Sequence, residues 1–296
     1  NNNSYGYIFY GGNQQPMYSI NNQLQEKTFE ELAGDDQTPL KKIGILRMDV
    51  DGLGNIFKSG IKKDRQNFAA YSTMSNFLDM FFTGHLTFMR NQDKYKDWIN
   101  IIYSGGDDVF AIGRWDLIIE FANDIRDKFR KFVCQREEIS ISAGITIITP
   151  KFPIAKAADM AGDAETKAKE FEDNNLTVIN KNALNIFGEN ISWLEFPQII
   201  NIQITLIQHK LPSALLQRLI LFKLIKDKHK KNNQLQQDYS YKWYCAYYIA
   251  RLSKNVNNQV LKYFFDNMKN DIFINDRKLD LYAIAARWAE LLIRMN

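Results

Sequence analysis

The apolar positions of this chain repeat with two periods, and the change of period divides it. Ile43 to Met48 is a short, mostly apolar run closed by Asp49, which predicts a strand ending in an acid. After a glycine-bearing turn, Phe68, Tyr71, Leu78, Phe81, Phe82, His85 and Met89 recur at helical spacing, with His85 read as a core histidine. Ile99 to Tyr103 and Val109 to Ile112 predict two strands around a tight turn at Ser104 to Asp108. Trp115 to Cys134 reads as a helix through Ile118, Phe121, Ile125, Phe129 and Phe132, and Ile139 to Thr149 as a long strand. An Ala-rich helix, Ile154 to Glu170, and a last strand, Leu176 to Ile179, complete this part. The order is a ferredoxin-like βαββαβ plan with additions, an α+β class. It predicts an antiparallel sheet with its helices on one face and the other face free for a ligand.

From Leu194 onward only the helical period remains. Pro212 to Lys226, Tyr239 to Ser253, Asn258 to Met268 and Leu279 to Met295 are amphipathic, with Lys228 to Gln237 as a polar loop. Ahead of the α+β part, Tyr7 to Tyr10 and Met17 to Ile20 flank Gly11-Gly12-Asn13 and read as a hairpin, followed by a polar linker. The expected organisation is 1–40 hairpin and linker, 41–194 α+β domain and 195–296 all-α domain.

Composition adds an asymmetry. The net charge is +4. Residues 197–296 hold 16 Lys and Arg against 7 Asp and Glu, whereas residues 1–196 hold 22 against 27. An acidic half suits metal ions and a basic half an anionic partner, although a solvated basic helical surface reads the same way. Cys134 and Cys245 fall in helical patterns and read as buried small hydrophobes; two cysteines do not make a zinc site by themselves. No apolar run suggests a membrane span and no signal peptide stands out, so the expected location is cytoplasmic. The chain opens Asn1-Asn2-Asn3, as a piece of a longer protein would.

Two segments carry candidate chemistry: Asp49-Val50-Asp51-Gly52-Leu53-Gly54 and Ser104-Gly105-Gly106-Asp107-Asp108. In the βαββαβ plan the end of the first strand lies beside the hairpin turn, which brings Asp49 close to Asp107 and Asp108. Crowded carboxylates repel, and a divalent cation relieves them. Mg²⁺ suits hard oxygen ligands and bridges to phosphates, with the Val50 carbonyl as a further ligand. Glycines at 105 and 106 permit a tight turn with room for a nucleotide, and amides near Gly52 and Gly54 can cradle phosphates. A calcium loop starting at Asp49 would want an oxygen ligand and a Glu where Leu53 and Gly60 stand, so that reading fails.

At these residues the sequence resembles the large, Palm-containing subunit of type III CRISPR effector complexes, the cyclic-oligoadenylate synthetase in its Csm-type form. Gly44 to Gly54, Tyr103 to Asp108, Ile141 to Ile145, Lys151 to Ile154, Ala164 to Glu170, Phe187-Gly188 and Trp193 carry the likeness, with the helical tail. The resemblance implies the second Palm domain plus the C-terminal helical domain, and synthesis of cyclic oligoadenylates from ATP when the complex holds target RNA. It implies Asp49, Asp107 and Asp108 as catalytic residues and, with Val50, as ligands of Mg²⁺ or Mn²⁺. Val50, Asp51, Gly52, Leu53, Gly54, Ser104, Gly105, Gly106 and Lys169 would hold the nucleotide, with Lys169 on phosphate and Ser104 near adenine. Its implied partners are the other effector subunits, guide and target RNA, and a chain or segment carrying the first Palm. None of His85, His209 and His229 is followed by Asp, so the HD-type nuclease motif of the family is not seen here. Two alternatives remain: a diguanylate cyclase-like enzyme using GTP, from which Asp108-Val109 departs, and a catalytically silent scaffold subunit.

Overall fold

The computed structural model describes residues 15–20, 23–171, 181–232 and 240–295. The expected strands at Tyr7 to Tyr10 and Leu176 to Ile179 lie outside these. By internal contacts the chain divides into two units, Asn1–Trp193 and Leu194–Asn296.

The first unit is built on a six-stranded sheet. Its strands are β3 (Ile43–Val50), β4 (Ile99–Gly105), β5 (Asp108–Arg114), β6 (Ile141–Ile148), β7 (Ala183–Ile186) and β8 (Glu189–Ser192). Their order across the sheet is β4-β5-β3-β6-β7-β8. The first four are antiparallel neighbours in the ferredoxin-like arrangement, and β7 joins β6 in parallel. Neither β7 nor β8 is foreseen by periodicity, since both are only four residues long. Ahead of the sheet, β1 (Met17–Ile20) pairs with β2 (Gln23–Glu26). A short helix, α1 (Phe29–Leu32), follows, closed by a reciprocal Thr28–Glu31 capping box. The segment read as a polar linker is thus structured, and it buries Leu32 and Ala33.

Because side chains alternate along a strand, β3 divides its residues between two faces. Gly44, Leu46, Met48 and Val50 face α5 (Trp115–Phe132); a Cβ at Gly44 would lie 2.9 Å from the Ile118 side chain. Ile43 and Ile45 face the other way, where they share a core with Leu32, Ala33, Ala157 and Ala161. The last two belong to α6 (Ile154–Lys169), so helices cover both faces. This corrects the expectation of one wholly free face. Toward the end of α6 the β3 sequence turns from the buried Ile43 and Ile45 to Arg47 and Asp49.

The approach of α6 is set by small residues. Ala157, Ala161, Ala164 and Ala168 form its buried stripe, and Gly144 lies beneath it on β6. A Cβ at Gly144 would stand 2.2 Å from the Glu165 amide nitrogen and 2.4 Å from the Ala161 carbonyl oxygen. Only glycine admits the helix backbone this close.

The long helix between β3 and β4 is not uniform. After α2 (Leu53–Ser59), α3 (Phe68–Asp79) passes through a π-helical turn, Met80–His85, into α4 (Leu86–Arg90). Leu78, Phe81, Phe82 and Met89 are buried as their spacing predicts, but Phe68 is exposed. His85 stacks on Phe81 at 5.5 Å between ring centres, as a packing histidine does.

The elements of the second unit among the described residues are all helices: α7 (Phe196–Gln208), α8 (Ser213–Asn232), α9 (Ser240–Lys254), α10 (Gln259–Ile274) and α11 (Asp276–Met295). Helix α8 extends into the stretch read as a loop. Inside this unit Lys226 is buried and bonded to Asp280 and to the Asp276 carbonyl, which satisfies an ammonium that would otherwise be costly to bury. No described helix is long and apolar enough to cross a membrane.

Cys134 departs from expectation, whereas Cys245 is buried within a helix as expected. Helix α5 ends at Phe132, so Cys134 lies beyond it at φ 55° and is exposed. Cys245 is buried, and burial pushes its thiol up to about 12. A thiol reagent at pH 8 is therefore expected to label Cys134 rapidly and Cys245 only after denaturation. Mass spectrometry of the labelled peptides checks this; rapid native labelling of Cys245 would refute the packing of α9.

Candidate functional site

Asp49 and Asp108 are direct partners in the β3–β5 register, so their side chains leave the sheet on the same face. The link between β4 and β5 is just Gly106-Asp107, and Gly106 has φ 65°, a conformation glycine adopts without strain. The Asp107 carbonyl accepts a hydrogen bond from the Val50 amide at 3.1 Å, which ties the turn to the end of β3. The sequence motifs that carry acids are thus joined by backbone pairing.

The same face carries a row of opposite charges. Lys169, at the end of α6, is bonded to the Asp49 carboxylate. Its Nζ also lies 3.2 Å from Glu165 Oε1, one helical turn back. Arg47 Nε stands 3.6 Å from the other Glu165 oxygen. Arg47 and Glu165 are participants that sequence spacing did not bring forward. The available signal was Arg47 two residues before Asp49, and Glu165 four before Lys169.

Burial raises the pKa of Asp107 and is the first influence on Asp108, with the Asp107 charge adding to it. Glu165 is raised by burial against the opposing effect of Arg47. Burial, with the nearby charges of Lys181 and Arg47, draws Lys169 down to about 8. Beside Asp108, the half-exposed Tyr103 hydroxyl is raised by that carboxylate's charge. A site that penalises its own carboxylate charges favours an added cation. The oxygen donors of Asp49, Asp107 and Asp108 fit a hard divalent ion in chemistry. However, among the described residues no group of three or more His, Cys, Asp or Glu side chains is arranged to hold a metal. The expected ligand set is not closed, and Asp49 is held by Lys169 instead.

Other predicted residues divide in two. Gly52 has φ 65° and precedes α2 without a side-chain cap, leaving the first-turn amides of Leu53 and Gly54 with no side-chain acceptor. Beside it opens a cleft of about 690 Å³, lined by Asn55, Ile56, Met74, Ile139, Ser140 and Lys181 among others. Asp51 is buried: its Oδ2 accepts from the Ser140 hydroxyl at 2.6 Å and the Asn182 amide at 3.1 Å. Those bonds make it a brace between the end of β3 and the segments at Ser140 and Asn182. Ser104 pairs with Val109, so it lies buried on the α5 face, opposite Asp49. That placement removes it from the row of charges. Gly105 pairs with Asp108 at the end of β4, and the Val50 side chain is buried.

Comparison with known proteins gives a consistent picture. Residues 42–178 match the family model described as Cas10/Cmr2, second palm domain. A protein of Methanocaldococcus jannaschii, named as the CRISPR system single-strand-specific deoxyribonuclease Cas10/Csm1 (subtype III-A), is 38% identical over 183 residues. That match covers 57% of this chain and 22% of the relative. The protein of the same name from Enterococcus italicus is 36% identical over 149 residues, 50% of this chain and 19% of the relative. The matched region thus spans about a fifth of these relatives' length. Among solved structures, a Csm1–Csm4 cassette in complex with pppApA superposes with a TM-score of 0.69 at 18% identity, covering 97% of this chain and 40% of that one. The Csm1–Csm4 cassette in complex with cA4 gives 0.68 at 19%, covering 98% and 41%. At such identity the likeness establishes the fold.

Proposed function

We propose, from the match of residues 42–178 to the Cas10/Cmr2 second palm model and from the Cas10/Csm1 relatives, that this chain is the second palm, with its helical tail, of a type III-A CRISPR effector subunit that joins ATP into cyclic oligoadenylates on target RNA binding. The observation that carries the proposal is the register pairing of Asp49 with Asp108, beside a turn that holds Asp107 against the end of β3.

Mg²⁺ or Mn²⁺, held by Asp49, Asp107, Asp108 and the Val50 carbonyl, would activate an attacking 3′-hydroxyl and offset the charge of departing pyrophosphate. The chain's own residues then position the triphosphate. Lys169 and Arg47 supply positive charge from α6 and β3, and the Leu53 and Gly54 amides at the start of α2 have no side-chain acceptor. The cleft beside Gly52 is of ligand-binding size, within the range of roughly 300–1,000 Å³ for such sites. Holding the 3′-hydroxyl of one nucleotide in line with the α-phosphate of the next supplies a large part of the rate.

ATP is favoured over GTP because the nucleotides named for the similar cassettes, pppApA and cA4, are adenylates. The diguanylate reading also loses support at Asp108-Val109. A second palm segment completes the reaction by facing this one. Edge strand β4, with Ile102 and Tyr103 exposed, and the exposed Phe77, Met80 and Phe88 offer an apolar surface for it. A Csm4-type subunit, guide RNA and target RNA are the further partners, with the basic helical unit suited to an anionic one. The deoxyribonuclease activity named for the relatives is not assigned to residues of this chain.

Calorimetric titration with ATP and GTP, with and without Mg²⁺, tests the reading. Metal-dependent ATP binding, lost in the Asp107→Ala, Asp108→Ala double variant, is the expected result. Tighter binding of GTP would redirect the assignment to guanylate chemistry.

A further inference from the structure

The row Arg47–Glu165–Lys169–Asp49 does more than place a phosphate-binding lysine. We propose that Lys169 is an internal counter-cation that occupies Asp49 until a divalent cation takes that carboxylate, and that Glu165 is the positioning residue that receives the released ammonium. This rests on the reading of Asp49 and Asp108 as cation ligands.

The geometry supports an exchange without movement of the helix. Lys169 Nζ already touches both carboxylates, Asp49 across the interface and Glu165 at 3.2 Å within α6. Helix α6 itself is pinned, since its backbone rests against Gly144 with no room for a Cβ. The four-carbon stem of lysine can therefore swing while its anchor stays put. Glu165 is prevented from following, because its second oxygen faces Arg47 at 3.6 Å. Arg47 in turn lies against α6: its Nη1 is 2.9 Å from where a Cβ on Gly162 would be.

Charge balance gives the exchange its direction. While Lys169 holds Asp49, one of the opposed pair Asp49 and Asp108 is neutralised, which limits their repulsion. A divalent cation between the two would meet an ammonium at the same carboxylate, and like charges there are costly. Withdrawal to Glu165 removes that conflict and leaves the ammonium beside the incoming phosphates. The same contact accounts for the open ligand set, because Asp49 is turned to Lys169.

The test uses the full chain without nucleotide and reads Mn²⁺ affinity by electron paramagnetic resonance. Lys169→Met is expected to tighten Mn²⁺ binding about tenfold, the scale of one lost competing ion pair. Glu165→Gln is expected to weaken it several-fold, about 3- to 10-fold, by leaving Asp49 as the only carboxylate for Lys169. The decisive comparison is the double variant. If Glu165 acts through Lys169, Glu165→Gln has little effect in the Lys169→Met background. An equal loss in both backgrounds would mean that Glu165 acts by its own field, and the proposal would fall. Unchanged affinity in Lys169→Met would also overturn it. Wild-type Mn²⁺ binding that survives both Asp49→Asn and Asp108→Asn would instead overturn the functional reading, and the exchange with it. Should Lys169→Met not fold, methyl-labelled lysine NMR of the wild-type chain gives the same answer. The Lys169 signal moves on Mg²⁺ addition if the exchange occurs, and a stationary signal at saturating Mg²⁺ refutes it.

Discussion

Gly144→Ala is expected to destabilise the first unit by about 3 kcal/mol and to lower its melting temperature by roughly 6–12 °C. The added methyl meets backbone rather than side chain: the Glu165 nitrogen at 2.2 Å, the Ala161 oxygen at 2.4 Å and the Ala164 carbonyl carbon at 2.7 Å. A side chain could rotate away, but a helix backbone has to translate as a body. The shift carries Lys169 and Glu165 away from Asp49 and Arg47, because both ion pairs cross this one interface. Turnover in the assembled complex should then fall by about 10², the usual consequence of an ångström-scale misplacement. Gly54→Ala is the control. A Cβ there meets nothing within 4 Å, and alanine favours a helix, so stability should hold or rise by up to about 1 kcal/mol. Thermal denaturation of the two variants decides the matter; a Gly144→Ala melt that coincides with wild type would mean that α6 does not rest on β6.

The ease with which these features could be read from sequence varied with their physical origin. The strand-end position of Asp49 and the hairpin position of Asp107 and Asp108 follow from apolar runs with abrupt polar ends, and β3, β4 and β5 form where those runs lie. Long helices with strong period, such as α5, were equally clear, though α5 stops at Phe132 and leaves Cys134 outside. The second covering layer was harder. Helix α6 was visible as a helix, but its face was not, because alanine contributes little to apolar contrast. The combination of Ala157, Ala161, Ala164 and Ala168 with Gly144 was the readable sign of close approach. Strands β7 and β8 escaped because four residues scarcely define a period, and α1 because its Thr28–Glu31 box sits in a polar stretch. Ser104 illustrates a different failure. Adjacency to the glycines suggested a role with the nucleotide, yet strand alternation places it opposite Val109 on the buried face. Arg47 and Glu165 lie in a strand and a helix far apart in sequence, so the spacings that tie each to Asp49 and to Lys169 do not announce that the two meet.

Asp49→Asn and Asp108→Asn should each reduce oligoadenylate synthesis in the assembled complex by about 10³ or more, while shifting stability in opposite directions. The amide keeps the size of the side chain and removes its charge, so the loss reports charge at the reacting phosphates rather than packing. The contrast in stability follows from what surrounds each carboxylate without divalent cations. Burial and the Asp107 charge hold the Asp108 carboxyl above its usual range. The folded state therefore disfavours that charge, and removing it should leave the melting temperature equal or higher at neutral pH. As pH falls through the ordinary carboxylate range the difference should vanish, because wild-type Asp108 is then protonated. Asp49 is instead the partner of Lys169, and its loss leaves a half-buried ammonium with Glu165 alone. That variant should melt lower. Chromatography of the products and melts recorded without divalent ions separate the two effects. Equal loss of activity with opposite stability shifts would exclude misfolding as the common cause. An Asp108→Asn complex within twofold of wild-type turnover would reduce the Gly-Gly-Asp-Asp hairpin to a polar turn, and the helical unit would then stand as the functional part of the chain.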